Sequence, residues 1–257
     1  MPRSRAQLLA AGALAAGLLA GCDWARGGAD GAALSQEWAW LQQTQQTLDG
    51  QRAELAGLQA QAAAPDAAPE VAREVAELDR EVTAGAEEFT ARLVAFLNGD
   101  PMVEGIAPSE RQLAAVRMKS GEDLILAQEW IDKGGDYKRA LDIYDTALAL
   151  DPGNAELEAA RAAAQAARWM TAERFALASQ GMSQEAVRAL LGQPNPNNIR
   201  EYTDRGVVAW FYPTSQRGDA AGVWFEVDAE TGAATAYQLE YDAIPRQEVL
   251  PAEGAAN

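Results

Sequence analysis

The chain has 257 residues with 38 acidic and 21 basic side chains, a net charge of −17, one cysteine and no histidine. The lack of histidine excludes Ser-His-Asp triads, histidine metal sites and histidine acid–base catalysis, and a single cysteine excludes an intramolecular disulfide. The large negative charge disfavours nucleic acid and anionic lipid headgroups as principal partners.

The N-terminus is typical of a bacterial export signal. Two arginines in MPRSR precede an apolar run from Ala6 to Ala20, which is too short for an ordinary membrane span. The run ends in Leu-Ala-Gly-Cys at Cys22, which resembles the lipobox of bacterial lipoproteins. The resemblance implies a signal peptide over 1–21, cleavage between Gly21 and Cys22, and acyl chains on Cys22 that anchor the protein. A plain secretory signal or a signal anchor is the alternative.

A glycine-rich segment after the cysteine predicts a flexible tether over 22–33. Asp23, the residue after the cysteine, resembles the inner-membrane retention signal of enterobacterial lipoproteins. The anchor would therefore face the periplasm from either the inner or the outer membrane.

Residues 34–108 predict a helical hairpin with coiled-coil-like seams. Leucine recurs every seven residues from Leu34 to Leu55, but Gln45, Arg52 and Gln59 interrupt the seam. A proline-containing break at 62–70 precedes a second helical run, in which Gly85 is the weak position. The seams would serve either as a self-association stalk or as the core of an intramolecular bundle.

Residues 109–170 predict packed helices, and GGDYKRALDIYDTALALDPGNAE (134–156) resembles the second half of a tetratricopeptide repeat. The resemblance implies a turn at the Gly-Asp-Tyr step, a small-large-small helix interface and a proline after the second helix. The positions that carry it are Gly135, Tyr137, Ala140, Tyr144, Ala147 and Pro152. One repeat is clear, and alanine-rich residues 155–179 predict the next helix. Stable arrays usually need three or more repeats, so the sequence does not predict a full concave peptide-binding groove.

The stretch GMSQEAVRALLGQP (181–194) predicts a short capped helix. Ser183 suits the N-cap, Met182 and Val187 have the spacing of a hydrophobic staple, and Gly192 suits a left-handed residue that ends the helix. The remaining positions of this pattern are Gly181, Leu190, Leu191 and Pro194. A helix this short needs a packing partner for its apolar stripe.

The partner predicted for that helix is an antiparallel sheet. Segments 199–203, 207–213, 222–228 and 234–242 are rich in β-branched and aromatic residues and are separated by turn residues. On the last strand, Tyr237, Leu239 and Tyr241 are expected to share one face. The capped helix, the strand with Trp210 and Tyr212, and the hairpin GVWFEVDAETG together resemble the SmpA/OmlA family, the outer-membrane lipoproteins of the BamE type that assist β-barrel assembly.

The sequence thus predicts an α+β fold: N-terminal helices, a BamE-like domain over 171–245 and a disordered tail over 246–257. Its expected function is that of a lipid-anchored envelope adaptor between proteins, and the resemblance implies barrel-assembly subunits as partners and the outer membrane as the location. The alternative is an inhibitor or sensor that binds a soluble enzyme or a cell-wall ligand through the aromatic sheet. No cofactor, metal site or catalytic residue is expected, because the carboxylate pairs are adjacent, in turns or on one strand.

Overall fold

The structure is a computed structural model that describes residues 29–64 and 66–244. Within these residues, helices occupy the N-terminal part and strands the C-terminal part. The helices are α1 (Ala29–Ala62), α2 (Pro69–Gly99), α3 (Glu110–Asp132), α4 (Tyr137–Leu150), α5 (Ala155–Ala167), α6 (Ala172–Phe175) and α7 (Gln184–Leu191). The strands are β1 (Ile199–Tyr202), β2 (Val207–Pro213), β3 (Ala220–Val227) and β4 (Ala234–Ile244). This order confirms the predicted α+β class, with helices preceding a small antiparallel sheet.

Helices α1 and α2 form a hairpin around a shared apolar seam. Leu41 and Leu48 of α1 are buried against Phe89 and Leu93 of α2. The apolar seam therefore packs within one chain, as expected for the core of an intramolecular bundle. Helix α1 begins inside the segment predicted as a tether, and that boundary was wrong. Ala29, Ala32 and Ala33 have strong helix propensity, which favours a helix across the end of this segment.

Gly85 is a contact position of the hairpin and not a weak one. A Cβ built on Gly85 would lie 3.0 Å from Cδ2 of Leu48, which is tighter than ordinary packing. The missing side chain therefore lets α2 approach α1 at the level of a fully buried leucine.

Polar contacts and an apolar core join the hairpin to α3. Arg52, which interrupts the heptad seam, makes two hydrogen bonds to the carboxylate of Glu122 at 2.9 and 2.7 Å. Glu122 is 8% exposed, and the fork geometry of the guanidinium matches its two oxygens. Ala115 and Met118 of α3 complete the core of the hairpin. The arginine thus selects the docking face and is not a defect in the seam.

Helices α3, α4 and α5 pack around a second core and then give way to the sheet module. Helix α5 ends at Ala167, whereas the sequence predicted a helix through 155–179. Beyond the helix the chain is joined to the sheet, where the amide of Met170 donates to the carbonyl of Pro213 at 2.8 Å. Met170 is buried in the core of the module, so this unit begins one residue before the predicted boundary at 171.

The four strands form a meander in the order β1-β2-β3-β4, with every neighbouring pair antiparallel. A register shift between Trp224 and Phe225 of β3 places an extra residue, Tyr237, in β4. Such a bulge reverses the alternation of faces. Consequently Ala236 is buried, Tyr237 is 41% exposed, and the expectation that Tyr237 shares a face with Leu239 and Tyr241 was wrong.

Candidate functional site

The capped helix α7 has the features that its sequence predicted, with one difference at its end. Oγ of Ser183 accepts a hydrogen bond from the amide of Ala186 at 3.2 Å, and Met182 packs on the same core as Val187. Gly192 has a positive φ of 86°, but its ψ of 175° is extended and not left-handed helical. The extended ψ directs the chain away from the helix toward Pro194, which is fully buried.

The residues before α7 attach it to the edge of the sheet. The amide of Gly181 donates to the carbonyl of Ala236, and the amide of Ala236 donates to the carbonyl of Met182, both at 2.8 Å. Gly181 has a positive φ of 87°, so glycine suits this turn. Part of the free edge of β4 is thereby covered, which gives the Gly-Met-Ser segment a second role beside capping.

The apolar stripe of α7 faces the inner side of the sheet. Val187 and Leu191 are 0% and 2% exposed, whereas Leu190 is only half-buried. Trp210 and Tyr212 of β2 lie in the same core, and the ring of Trp210 is 4.7 Å from that of Phe225. The aromatic residues that carried the family resemblance on β2 therefore serve the fold.

The segment after α7 docks on the repeat-like helices. A Cβ built on Gly135, in the turn between α3 and α4, would overlap the carbonyl oxygen of Gln193 and lie 2.7 Å from the amide nitrogen of Asn195. The backbone of 193–195 thus lies directly against this turn. Two patterns that the sequence placed in separate units, Gly-Asp-Tyr and Leu-Gly-x-Pro, meet in one contact.

The other repeat positions are packing residues. Ala140, Tyr144 and Ala147 are at most 2% exposed, in the core shared by α3, α4 and α5. Tyr137 packs at the edge of this core. Pro152 lines a polar pocket of about 470 Å³ between α3 and the start of α5.

The outer face of the sheet carries apolar side chains of the module that lie outside its core. We define this face by four residues: Tyr202, Phe211, Trp224 and Ile244. The register puts Phe211 opposite Gly222, on the side away from Trp210. These residues belong to none of the three buried cores found in the described residues. Tyr202 and Ile244 are 40% and 45% exposed.

Two of these rings are fixed by their neighbours. The ring of Trp224 meets that of Phe211 edge-on, with centroids 5.7 Å apart. A Cβ on Gly222 would lie 2.7 Å from the Trp224 indole, so the absent side chain lets the indole lie along its own strand. The result is a preorganised aromatic surface, which the sequence analysis did not locate. Aromatic residues on both faces of VVAWFYP were the signal that could have revealed it.

A pocket of about 310 Å³ opens at one end of the outer face, next to the loop between β2 and β3. Tyr202, Phe211, Pro213 and Ile244 provide its apolar lining. Its polar lining comes from Asn198, Arg200 and Asp219.

The carboxylates of the β3–β4 turn and of β4 lie at the surface of the module. Asp228 accepts hydrogen bonds from the amides of Glu230 and Thr231, which lower its pKa and stabilise the turn between β3 and β4. Glu240 and Asp242 are exposed on β4. Among the described residues, no group of three or more Cys, Asp or Glu side chains is placed to hold a metal ion.

Gly21 and Cys22, the predicted cleavage and lipidation residues, lie outside the described residues. None of the helices in residues 29–64 and 66–244 is long and apolar enough to cross a membrane. Comparisons of the chain with family models, curated proteins and solved structures found no match.

Proposed function

We propose that this protein is a lipid-anchored adaptor of the bacterial cell envelope, which binds a partner protein on the outer face of its sheet. The observation that carries the proposal is an ordered aromatic surface, with Tyr202 exposed and Phe211 and Trp224 partly exposed, on a chain whose net charge is −17. Clustered exposed aromatic residues are typical of protein-binding sites, because they contribute contact area at a low cost in side-chain entropy.

The location of the sequence signatures supports this assignment by elimination. Most of their large apolar members are buried and Ser183 caps α7, so these residues stabilise the fold, and recognition is assigned to another surface. The outer face is the part of the module where large rings have no core to fill. The partner class suggested by the resemblance is a subunit of the β-barrel assembly machinery.

A second candidate function uses the same face. The small size of the pocket beside Phe211 and its three polar residues favour an envelope inhibitor or sensor, which would bind a soluble enzyme or a cell-wall ligand. The two candidates differ in the molecule that contacts the aromatic surface, and therefore one crosslinking experiment separates them.

The experiment replaces Trp224 with a photoreactive aromatic amino acid and irradiates intact cells. The matched control carries the same amino acid at Gln43, an exposed position on α1. We expect a defined protein adduct from position 224 that position 43 does not give. Barrel-assembly subunits in the adduct would favour the first candidate, and a hydrolase or a glycan the second. Equal labelling from both positions would contradict a docking role for the outer face.

A further inference from the structure

Asp219, which lines the pocket at the end of the outer face, has one carboxylate oxygen without a donor. Oδ2 of Asp219 accepts a hydrogen bond from Oγ of Ser215 at 2.6 Å, whereas Oδ1 is buried and receives no hydrogen bond from any described residue. The loop holds the side chain in place, because the amide of Thr214 donates to the carbonyl of Asp219 at 2.9 Å. Leaving a buried acceptor unpaired is costly, so the charge of this carboxylate is poorly compensated within the chain, and a cation placed in the pocket beside it would offset that charge.

Arg200, the cationic residue that lines the pocket, does not supply that donor. Nη1 of Arg200 donates to the carbonyls of Asn197 and Ile199 at 2.7 and 3.0 Å. No ion pair joins Arg200 to Asp219 among the described residues. The guanidinium is therefore directed toward the backbone at the start of β1, and it does not compensate the charge of Asp219.

The rest of the site fits a cation with an apolar stem. Tyr202 and Phe211 supply aromatic rings, which attract cations through their faces. The strand register adds Glu226 and Glu240 to the same face of the sheet, so acidic side chains there outnumber Arg200. A volume of about 310 Å³ is at the lower limit for small-molecule pockets and suits a single inserted side chain.

We propose that this pocket binds an arginine or lysine side chain of the partner protein, with its cation on Asp219 and its stem against Tyr202 and Phe211. The inference rests on the proposed function, since it assigns the chemistry by which the outer face recognises its partner. It predicts that the partner presents a basic residue flanked by apolar ones, which would meet the remaining aromatic surface around Trp224.

The test measures binding of a blocked tripeptide, Gly-Arg-Gly, to the purified full-length protein in detergent. Amide signals of residues 214–221 in the isotopically labelled protein report binding by NMR. The matched ligand replaces arginine with citrulline, which keeps the shape but removes the charge. We expect the arginine peptide to shift these signals and the citrulline peptide to bind roughly 10- to 100-fold more weakly, as for a lost charged hydrogen bond.

Two variants assign the effect to the pocket. Asp219→Asn should weaken binding of the arginine peptide to the level of the citrulline peptide, whereas Glu230→Gln, which removes an equal charge from the exposed turn after β3, should leave it unchanged. Tyr202→Leu leaves the loop around Asp219 intact and should weaken binding of both peptides while preserving the preference for charge.

The outcomes separate this inference from the function on which it rests. Equal binding of the two peptides, or an Asp219→Asn protein that still prefers arginine, would overturn the inference. Crosslinking from position 224 that persists in Asp219→Asn would then leave the adaptor role standing. Selective peptide binding without any crosslinked partner would instead support the pocket and contradict the adaptor.

Discussion

The contact between Gly135 and the segment after α7 can be tested by a single methyl group. Gly135 has a positive φ of 57°, and an alanine Cβ there would overlap Gln193 and lie 2.8 Å from the carbonyl carbon of Pro194. The clash is with backbone atoms, which cannot rotate away. Gly153, at the opposite end of α4, is a matched control because its φ is 82° and a Cβ there meets nothing within 4 Å.

The magnitudes follow from the two geometries. Alanine at either position must adopt a positive φ, which costs about 1–2 kcal/mol. Only Gly135→Ala adds overpacking against a buried segment, which costs about 1–3 kcal/mol more. In a chain of this size each kcal/mol lowers the melting temperature by about 2–4 °C. We therefore expect Gly135→Ala to melt roughly 2–12 °C below Gly153→Ala.

Urea unfolding of both variants measures the free energies, and hydrogen exchange over 190–198 reports on the docked segment. Gly135→Ala should accelerate exchange in that segment, whereas Gly153→Ala should not. Equal destabilisation by the two substitutions, together with unchanged exchange over 190–198, would refute the conclusion that this turn holds the module in place.

Three further predictions concern the helix α7, an ion pair and the anchor. Leu191→Ala should lower the free energy of unfolding in urea by about 2–5 kcal/mol, because the side chain is 2% exposed. Arg188→Ala removes an exposed contact with the Trp210 ring and should lower it by at most about 1 kcal/mol. Similar losses in the two variants would show that the buried face of α7 has been assigned wrongly. Arg92 lowers the pKa of Glu37, so this carboxylate stabilises the fold above its unfolded pKa of about 4.5 and the gain is lost as pH falls through the lower folded value. Glu37→Gln should therefore lower the melting temperature at pH 7 but not at about pH 3, and an equal deficit at both would contradict the pairing. Cys22→Ser should block acylation, and a mature wild-type N-terminus other than a modified Cys22, seen by intact mass spectrometry, would refute the lipoprotein prediction.

Local signals in the sequence were sufficient for α7 and the four strands of the module, but not for residues 168–179, which were predicted to continue a helix. Turn residues and the N-cap at Ser183 determine the backbone conformation of only a few neighbouring residues. The strands β1 to β4 lie close to the segments that these signals predicted. The hairpin seam was also predictable, because a seven-residue repeat reports directly on one face of a helix. These features depend on neighbours in the chain.

Features that depend on distant partners were not predictable from one sequence. The bulge at Tyr237 arises from the register with β3, and the role of Gly85 from the proximity of Leu48. Gly135 contacts Gln193, although the two residues belong to separate sequence patterns that lie far apart in the chain. The pocket at Asp219 likewise needs β1, the loop after β2 and the end of β4 together. Each of these required knowledge of the tertiary arrangement.

The docking at Gly135 also determines where the outer face lies relative to the proposed anchor. Arg52, which contacts Glu122 of α3, is 23 residues after the start of α1, which corresponds to about 35 Å along the helix. Helix α3 continues toward the closed end of the hairpin, since Lys133 lies 4.0 Å from Asp79 near the start of α2. The turn at Gly135 and the module docked on it are therefore far from the end of α1 that follows Cys22. With the proposed lipid on that cysteine, an upright hairpin would hold the module away from the bilayer, which agrees with the proposal that the outer face binds a protein and not lipid headgroups.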